Sequence, residues 1–179
     1  MSAQIKLIFA AASLAVLLSA CGADNSPTIK APMTIQITST AFAGGQPIPS
    51  PHAYDDKNLS PALQWSSVPP AAKSLALICD DPDAPAGTWV HWVIYDLPPT
   101  ATGLAEGVPK SSELVSGAKQ GVNDFKQTGY GGPDPPPGKP HRYFFKIYAL
   151  DTVLDLKPGA TKADLVKAMD GHVLAQGQL

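Results

Sequence analysis

Cysteine and charge are both scarce in this chain. Among 179 residues there are two cysteines, Cys21 and Cys79, and charged side chains make up 16% of the total. Two cysteines exclude a disulfide-framed scaffold. Sparse charge excludes an acidic or basic disordered chain. The formal net charge is -2, and without a basic face to neutralise phosphates the chain does not read as a nucleic-acid binder. There is no His-Glu-x-x-His, no Gly-x-Ser-x-Gly and no dinucleotide fingerprint, which leaves the common metalloprotease, hydrolase and nucleotide-dependent oxidoreductase signatures without a foothold. Gly132 to Lys139 superficially resembles a phosphate loop, but five residues separate Gly132 from Gly138 and Pro140 follows the lysine. No internal repeat is present.

What remains is 44% hydrophobic, with 19 prolines and 15 glycines. The length fits one domain with a real core, and the turn-forming residues point to a loop-rich fold built on strands. Residues 1–20 stand apart. Lys6 is the one charge, Leu7 to Leu18 is apolar and too short for a membrane span, and Leu18-Ser19-Ala20 leads into Cys21. This reads as a bacterial lipoprotein signal, with Cys21 lipidated and the mature protein exported and anchored to a membrane, the outer membrane facing the periplasm. Several acyl chains on one residue anchor stably where one is marginal. Residues 22–32 are small and polar and read as a tether. Cys79, inside an apolar run, reads as a small buried hydrophobe.

Alternation over Met33 to Thr38 predicts a half-buried strand, and Leu63 to Trp65 a short one. Ser74 to Cys79 and Trp89 to Leu97 are apolar runs closed by Asp80-Asp81-Pro82 and Pro98-Pro99. They fit central strands buried on both faces. Thr100 to Pro140 has little periodicity and reads as a long functional loop. Arg142 to Leu150 alternates as a third strong strand. Thr161-Lys162-Ala163-Asp164 opens a helix with a capping-box pattern, and Leu165, Val166 and Met169 supply its apolar stripe. Val173 to Leu179 is too short to assign. The expected class is mainly β (α+β), a β-rich domain over residues 33–179 with a C-terminal helical segment.

The chemistry concentrates at the ends of the three strong strands. Asp81 and Asp83 sit in Asp81-Pro82-Asp83-Ala84-Pro85, stiffened by its prolines. His91 lies inside an apolar strand and needs a partner there. His141 follows the glycine- and proline-rich loop. Taken singly, these are a turn, a satisfied core histidine and a solvated strand end. Taken together in this order they make a polar pocket for an anion, with backbone N–H groups of Gly131 and Gly132 expected to form an anion nest. One aspartate is expected to fix an imidazole tautomer, and another to accept a hydrogen bond from an ammonium group on a zwitterionic ligand.

These segments resemble the phosphatidylethanolamine-binding protein family, in its bacterial Raf-kinase-inhibitor-like branch. The resemblance is carried by Asn58-Leu59-Ser60-Pro61, by Lys73 to Pro85, by Trp89 to Pro98 and by Gly121-Val122-Asn123-Asp124-Phe125. It continues through Gly129 to Pro133, His141 to Asp151 and Gly171 to Ala175. It implies a β-sandwich-like core with a shallow anion pocket lined by Asp81, His91, His141 and the Gly131–Pro133 backbone, with Asp83 beside it. Three departures stand out. Relatives usually continue into a Gly-x-Tyr-x-Arg-like tail beyond the position of Leu179, Lys126 stands where many have Gly, and Asp134 where many have Cys.

The function expected is non-enzymatic binding of a small anionic or zwitterionic ligand such as phosphoethanolamine, with no cofactor, no metal and no nucleic acid. Two alternatives remain at this level. One is an interaction protein inhibiting a protease or kinase through the proline loop. The other is a hydrolase using the Asp/His cluster, directly or through a metal.

Overall fold

The computed structural model describes residues 33–179, so the expected signal segment, Cys21 and the tether lie outside the described residues. The described chain forms β1 (Met33–Thr34), β2 (Gln36–Ser39), β3 (Leu63–Ser66), β4 (Ser74–Asp81), β5 (Trp89–Leu97), β6 (Gly103–Leu104), β7 (Lys119–Gln120), β8 (Phe144–Leu150), α1 (Lys162–Met169) and β9 (Val173–Gln178). A six-stranded sheet runs β1-β9-β8-β4-β5-β7, and a three-stranded sheet runs β2-β3-β6. The result is a mostly β sandwich with, among the described residues, a single α-helix near the C-terminus.

The continuous apolar runs follow from this layering. Between the sheets, Ile35, Ile37, Leu63 and Trp65 pack against Leu75, Leu77, Cys79, Trp92, Phe145 and Ile147. The opposite face of the large sheet packs Ala76, Ile78, Val93 and Tyr95 against Leu165 and Met169 of α1. All eight residues of β4 are therefore buried, as a strand covered on both faces must be. Burial also pushes the Cys79 thiol well above its ordinary pKa.

Several expectations shift at their edges. The strand expected over Met33 to Thr38 divides at buried Ile35, where the chain leaves the large sheet for the small one. β4 runs two residues further, through Asp80 and Asp81. The third strand begins at Phe144, because the Arg142 N–H is taken by the Asp83 carboxylate and not by a neighbouring strand. The loop from Thr100 contains β6 and β7. The segment after Gly171 is a strand, antiparallel to β8 and parallel to β1. Helix α1 has the expected cap: Thr161 Oγ1 accepts from Asp164 N–H at 3.2 Å, and Asp164 Oδ2 accepts from Thr161 N–H at 2.9 Å. Leu165 and Met169 are buried as expected, but Val166 faces outward.

Candidate functional site

β4 lies between β8 and β5 and is antiparallel to both. The C-terminal end of β4 therefore meets the N-terminal ends of its two neighbours, and Asp81, Trp89 and the residues just before Phe144 come together. Side chains alternate across a strand, so Asp81 shares the sandwich face with Leu75, Leu77 and Cys79, just past the end of the core.

His91 reaches the same face through a break in register. Cys79 pairs with Trp92 and Asp80 with Val90, which leaves His91 as an extra residue on β5. This is a β-bulge, a device that re-aims a side chain. It lets His91 and Trp92, neighbours in sequence, both face inward, while Val90 packs on the helix side.

The cavity at this strand end has a volume of about 170 Å³. Asp81, His91, His141 and Tyr143 line it with polar groups, while Ala84, Pro85, Trp89 and Phe125 supply apolar wall. Asp134, Pro135 and Pro136 close one side. Two wider depressions exist. One, of about 540 Å³ along β3 and β6, has no titratable side chain in its wall. The other, of about 620 Å³ beside α1, carries Lys126, Lys162, Lys167 and Asp124 but no imidazole.

Each imidazole is oriented from behind. His91 Nδ1 lies 2.7 Å from the Gly131 carbonyl oxygen. A carbonyl only accepts, so Nδ1 carries the proton and Nε2 is the variable nitrogen. His141 Nδ1 lies 2.8 Å from Asp81 Oδ2, and the second oxygen of Asp81 accepts the Asp83 N–H at 2.8 Å. The rings of Phe125 and Tyr143 meet His91 edge-on at centroid distances of 5.6 and 5.2 Å. Burial pushes the His91 imidazole below its ordinary pKa, against the opposing pull of the Gly131 backbone and Asp81. Burial, followed by the Asp81 charge, pushes the Tyr143 phenol up, so its hydroxyl stays a neutral donor.

Three expectations are corrected here. The amides of Gly131 and Gly132 do not form an anion nest: they donate to His91 O at 2.8 Å and to Asn58 Oδ1 at 2.9 Å. These glycines serve close packing. A Cβ on Gly131 would stand 2.6 Å from the Phe125 ring, and one on Gly132 would stand 2.0 Å from the His52 carbonyl oxygen. Pro133 binds the Tyr54 N–H through its carbonyl, so Gly131–Pro133 frames the cavity from behind and the next three residues line it. Asp83 is not free for an ammonium group either. Arg142 grips it with Nε at 2.8 Å and Nη2 at 2.7 Å, and these bonds hold its carboxyl at about 2. The second carboxylate facing the cavity is Asp134.

The sequence assigns Trp89, Phe125, Asp134 and Tyr143 no role in the site, yet all four line the cavity. Two of them had a signal. Tyr143 continues the inward alternation of Phe145 and Ile147, and Trp89 lies two residues before His91 on the same strand. Phe125 and Asp134 arrive on loops with no periodicity to read. Among the described residues, no three His, Cys, Asp or Glu side chains converge as a metal site.

A family model described as phosphatidylethanolamine-binding protein matches residues 38–179. The chain belongs to that family. A UPF0098 protein of Methanothermobacter thermautotrophicus is 54% identical over 145 residues, covering 81% of this chain and 95% of the relative. Another from Aquifex aeolicus is 48% identical over 147 residues, covering 81% and 85%. Among solved structures, a phosphatidylethanolamine-binding protein homolog from Chlamydia trachomatis superposes with a TM-score of 0.74 at 44% identity, covering 82% of this chain and 95% of its own. E. coli YbcL, described as a member of the mammalian family, superposes with 0.76 at 34% identity, covering 81% and 94%. For a phosphatidylethanolamine-binding protein, the His–Asp cluster at the strand ends is consistent with an anion-binding pocket.

Proposed function

We propose that this protein binds a phosphate-bearing small group, such as phosphoethanolamine, without turning it over. Asp81, His91 and His141 form the site, with Gly131, Gly132, Pro133 and Asp83 holding its frame. One observation carries the reading: two imidazoles from separate chain segments line one cavity, each with Nδ1 pinned by an acceptor and Nε2 left without a protein partner among the described residues. Nε2 atoms in such a setting serve a ligand.

Calorimetry with phosphoethanolamine tests this. Binding is expected in the parent chain and loss of it in both His91→Ala and His141→Ala, with circular dichroism reporting a retained fold. Unchanged affinity in both variants overturns the reading.

The proposal extends to the cell. The Leu18-Ser19-Ala20-Cys21 segment supports export, removal of residues 1–20 and lipid anchoring at Cys21, with the domain of residues 33–179 held at a bacterial membrane facing the periplasm. The motifs around Asp81, His91 and His141 support placement in the Raf-kinase-inhibitor-like branch. Metabolic labelling with a fatty acid, lost in Cys21→Ala, tests the anchor. Equal labelling of both chains excludes it.

A further inference from the structure

The charge balance of the cavity is unusual for a phosphate site. Its wall includes the carboxylates of Asp81 and Asp134 and no lysine or arginine. The nearest guanidinium, on Arg142, is held by Asp83. Only the two imidazoles can supply positive charge, and they differ. Behind His141 stands a carboxylate, which compensates a second ring proton. Behind His91 stands a neutral carbonyl, which does not. The groups facing His91 from its neighbours are Asp81 of β4, Tyr143 and His141 ahead of β8, Asp124 and Phe125 of the loop after β7, and Asp134. None is a permanent cation, and burial disfavours a charged ring. In its resting form His91 thus offers the cavity a lone pair on Nε2, an acceptor where an anion needs a donor.

An acceptor in an anion site can receive a proton that the anion still holds. We propose that the cavity takes a phosphoryl group that carries a proton, its P–O–H donating to Nε2 of His91 while its charged oxygens accept from His141 Nε2–H and the Tyr143 hydroxyl. The ligand class is then a phosphomonoester or inorganic phosphate, not a phosphodiester. The head group of an intact phospholipid is a diester and has no such proton. This inference rests on the phosphate-binding reading above and narrows it.

The consequences are measurable on the purified full-length chain. At about pH 6, near the second pKa of a phosphomonoester, phosphoethanolamine and ethanolamine O-sulfate have nearly the same shape and differ by less than one unit of charge. Only the phosphate ester can present a hydroxyl hydrogen. Calorimetry is expected to show the sulfate ester binding roughly 10- to 100-fold more weakly, the effect of a lone pair meeting a lone pair in a buried site. Glycerophosphoethanolamine, a diester that represents the lipid source, is expected to be weakened to the same degree. At about pH 7.5, where the free monoester is mostly a dianion, titrations in two buffers of different protonation enthalpy are expected to show net proton uptake on binding. His91→Gln, whose amide donates as well as accepts, is expected to narrow the gap between the phosphate and sulfate esters.

Equal affinity for the phosphate and sulfate esters overturns the inference and leaves phosphate-group binding standing. So does a diester that binds as tightly as the monoester, or binding without proton uptake. Failure of all three ligands to bind removes the phosphate-binding reading, and this inference with it.

Discussion

The Asp81 carboxylate and the His141 imidazole, 60 residues apart in the chain, lie 2.8 Å from each other at the end of the central strand. Both carboxylate oxygens of Asp81 are occupied, one by His141 Nδ1–H and the other by the Asp83 N–H, and the residue is 3% exposed. Asp81 therefore acts on a ligand through the ring it orients. Asp81→Asn cannot serve both donors, because one of them would meet an amide NH₂. Stranding a buried donor costs about 1–3 kcal/mol. A matching loss of stability in urea unfolding is expected, with phosphoethanolamine affinity reduced about tenfold or more as His141 loses its tautomer. Parent-like affinity in this variant would show that His141 needs no orientation.

How far the sequence reveals this arrangement depends on what makes each element. β4 and β5 are legible because two covered faces demand unbroken apolar runs, and α1 because its capping box is local. β9 is not, since Val173–Gln178 becomes a strand only through its partners on both sides, and the glycine within it is required by a neighbour. A Cβ on Gly177 would stand 2.0 Å from the Ile35 carbonyl oxygen. In the site, residue types announce the imidazole and carboxylate chemistry. The bulge at His91 does not show in a sequence, because it is a property of the pairing between two strands. Gly131 and Gly132 mislead for a related reason: a glycine reports that something comes close, and here that something is Phe125 and His52 and not a ligand.

That difference separates two otherwise similar substitutions. In Gly132→Ala the new methyl meets the His52 backbone, which cannot swing away, so overpacking is expected to cost about 1–3 kcal/mol or more. In Gly131→Ala it meets the Phe125 ring, 2.6 Å from Cδ2. A side chain can move, but Phe125 is part of the cavity wall, so the larger effect is expected on phosphoethanolamine affinity. Urea midpoints and calorimetry on the two variants check this. If Gly131→Ala binds normally and Gly132→Ala unfolds normally, the assigned packing roles are wrong.

The buried imidazole of His91 also contributes to the acid side of the stability profile. Its proton is held less firmly in the folded chain than in the unfolded one, chiefly through burial. Above the ordinary histidine pKa of about 6.5 both states are neutral there and the ring has no effect on pH dependence. As the pH falls below that value the unfolded chain takes up the proton first, so folding weakens until the depressed folded-state pKa is passed. Asp83, held at about 2 by Arg142, acts in a separate window: its contribution persists above the ordinary carboxylate value and is lost as the pH falls towards 2. Urea midpoints measured from about pH 7.5 down to about pH 5 are expected to decline in the ligand-free parent and to decline less in His91→Gln. An identical slope in both chains would assign the acid sensitivity elsewhere.

On the helix side of the same strand, Asp80 is 1% exposed and accepts from Lys146 Nζ at 2.8 and 3.1 Å and from Lys162 Nζ. The partners are unequal in burial, since each lysine side chain keeps 29% of its surface in water. Removing the carboxylate leaves two ammonium groups that can turn outward and be hydrated. Removing both ammonium groups leaves a buried charge with nowhere to go. Lys162→Met alone keeps one ion pair and is expected to cost little, within about 1 kcal/mol. The double variant Lys146→Met/Lys162→Met is expected to cost about 3–5 kcal/mol, the penalty for an uncompensated buried charge. Asp80→Ala is expected to fall between the two, because its cost is the lost pairing and a small void, with no stranded charge. Urea unfolding of the three variants settles the order. A double variant no less stable than Asp80→Ala would mean that water reaches Asp80 once the lysines are gone, and that the triad fastens α1 to the sheet less than its burial implies.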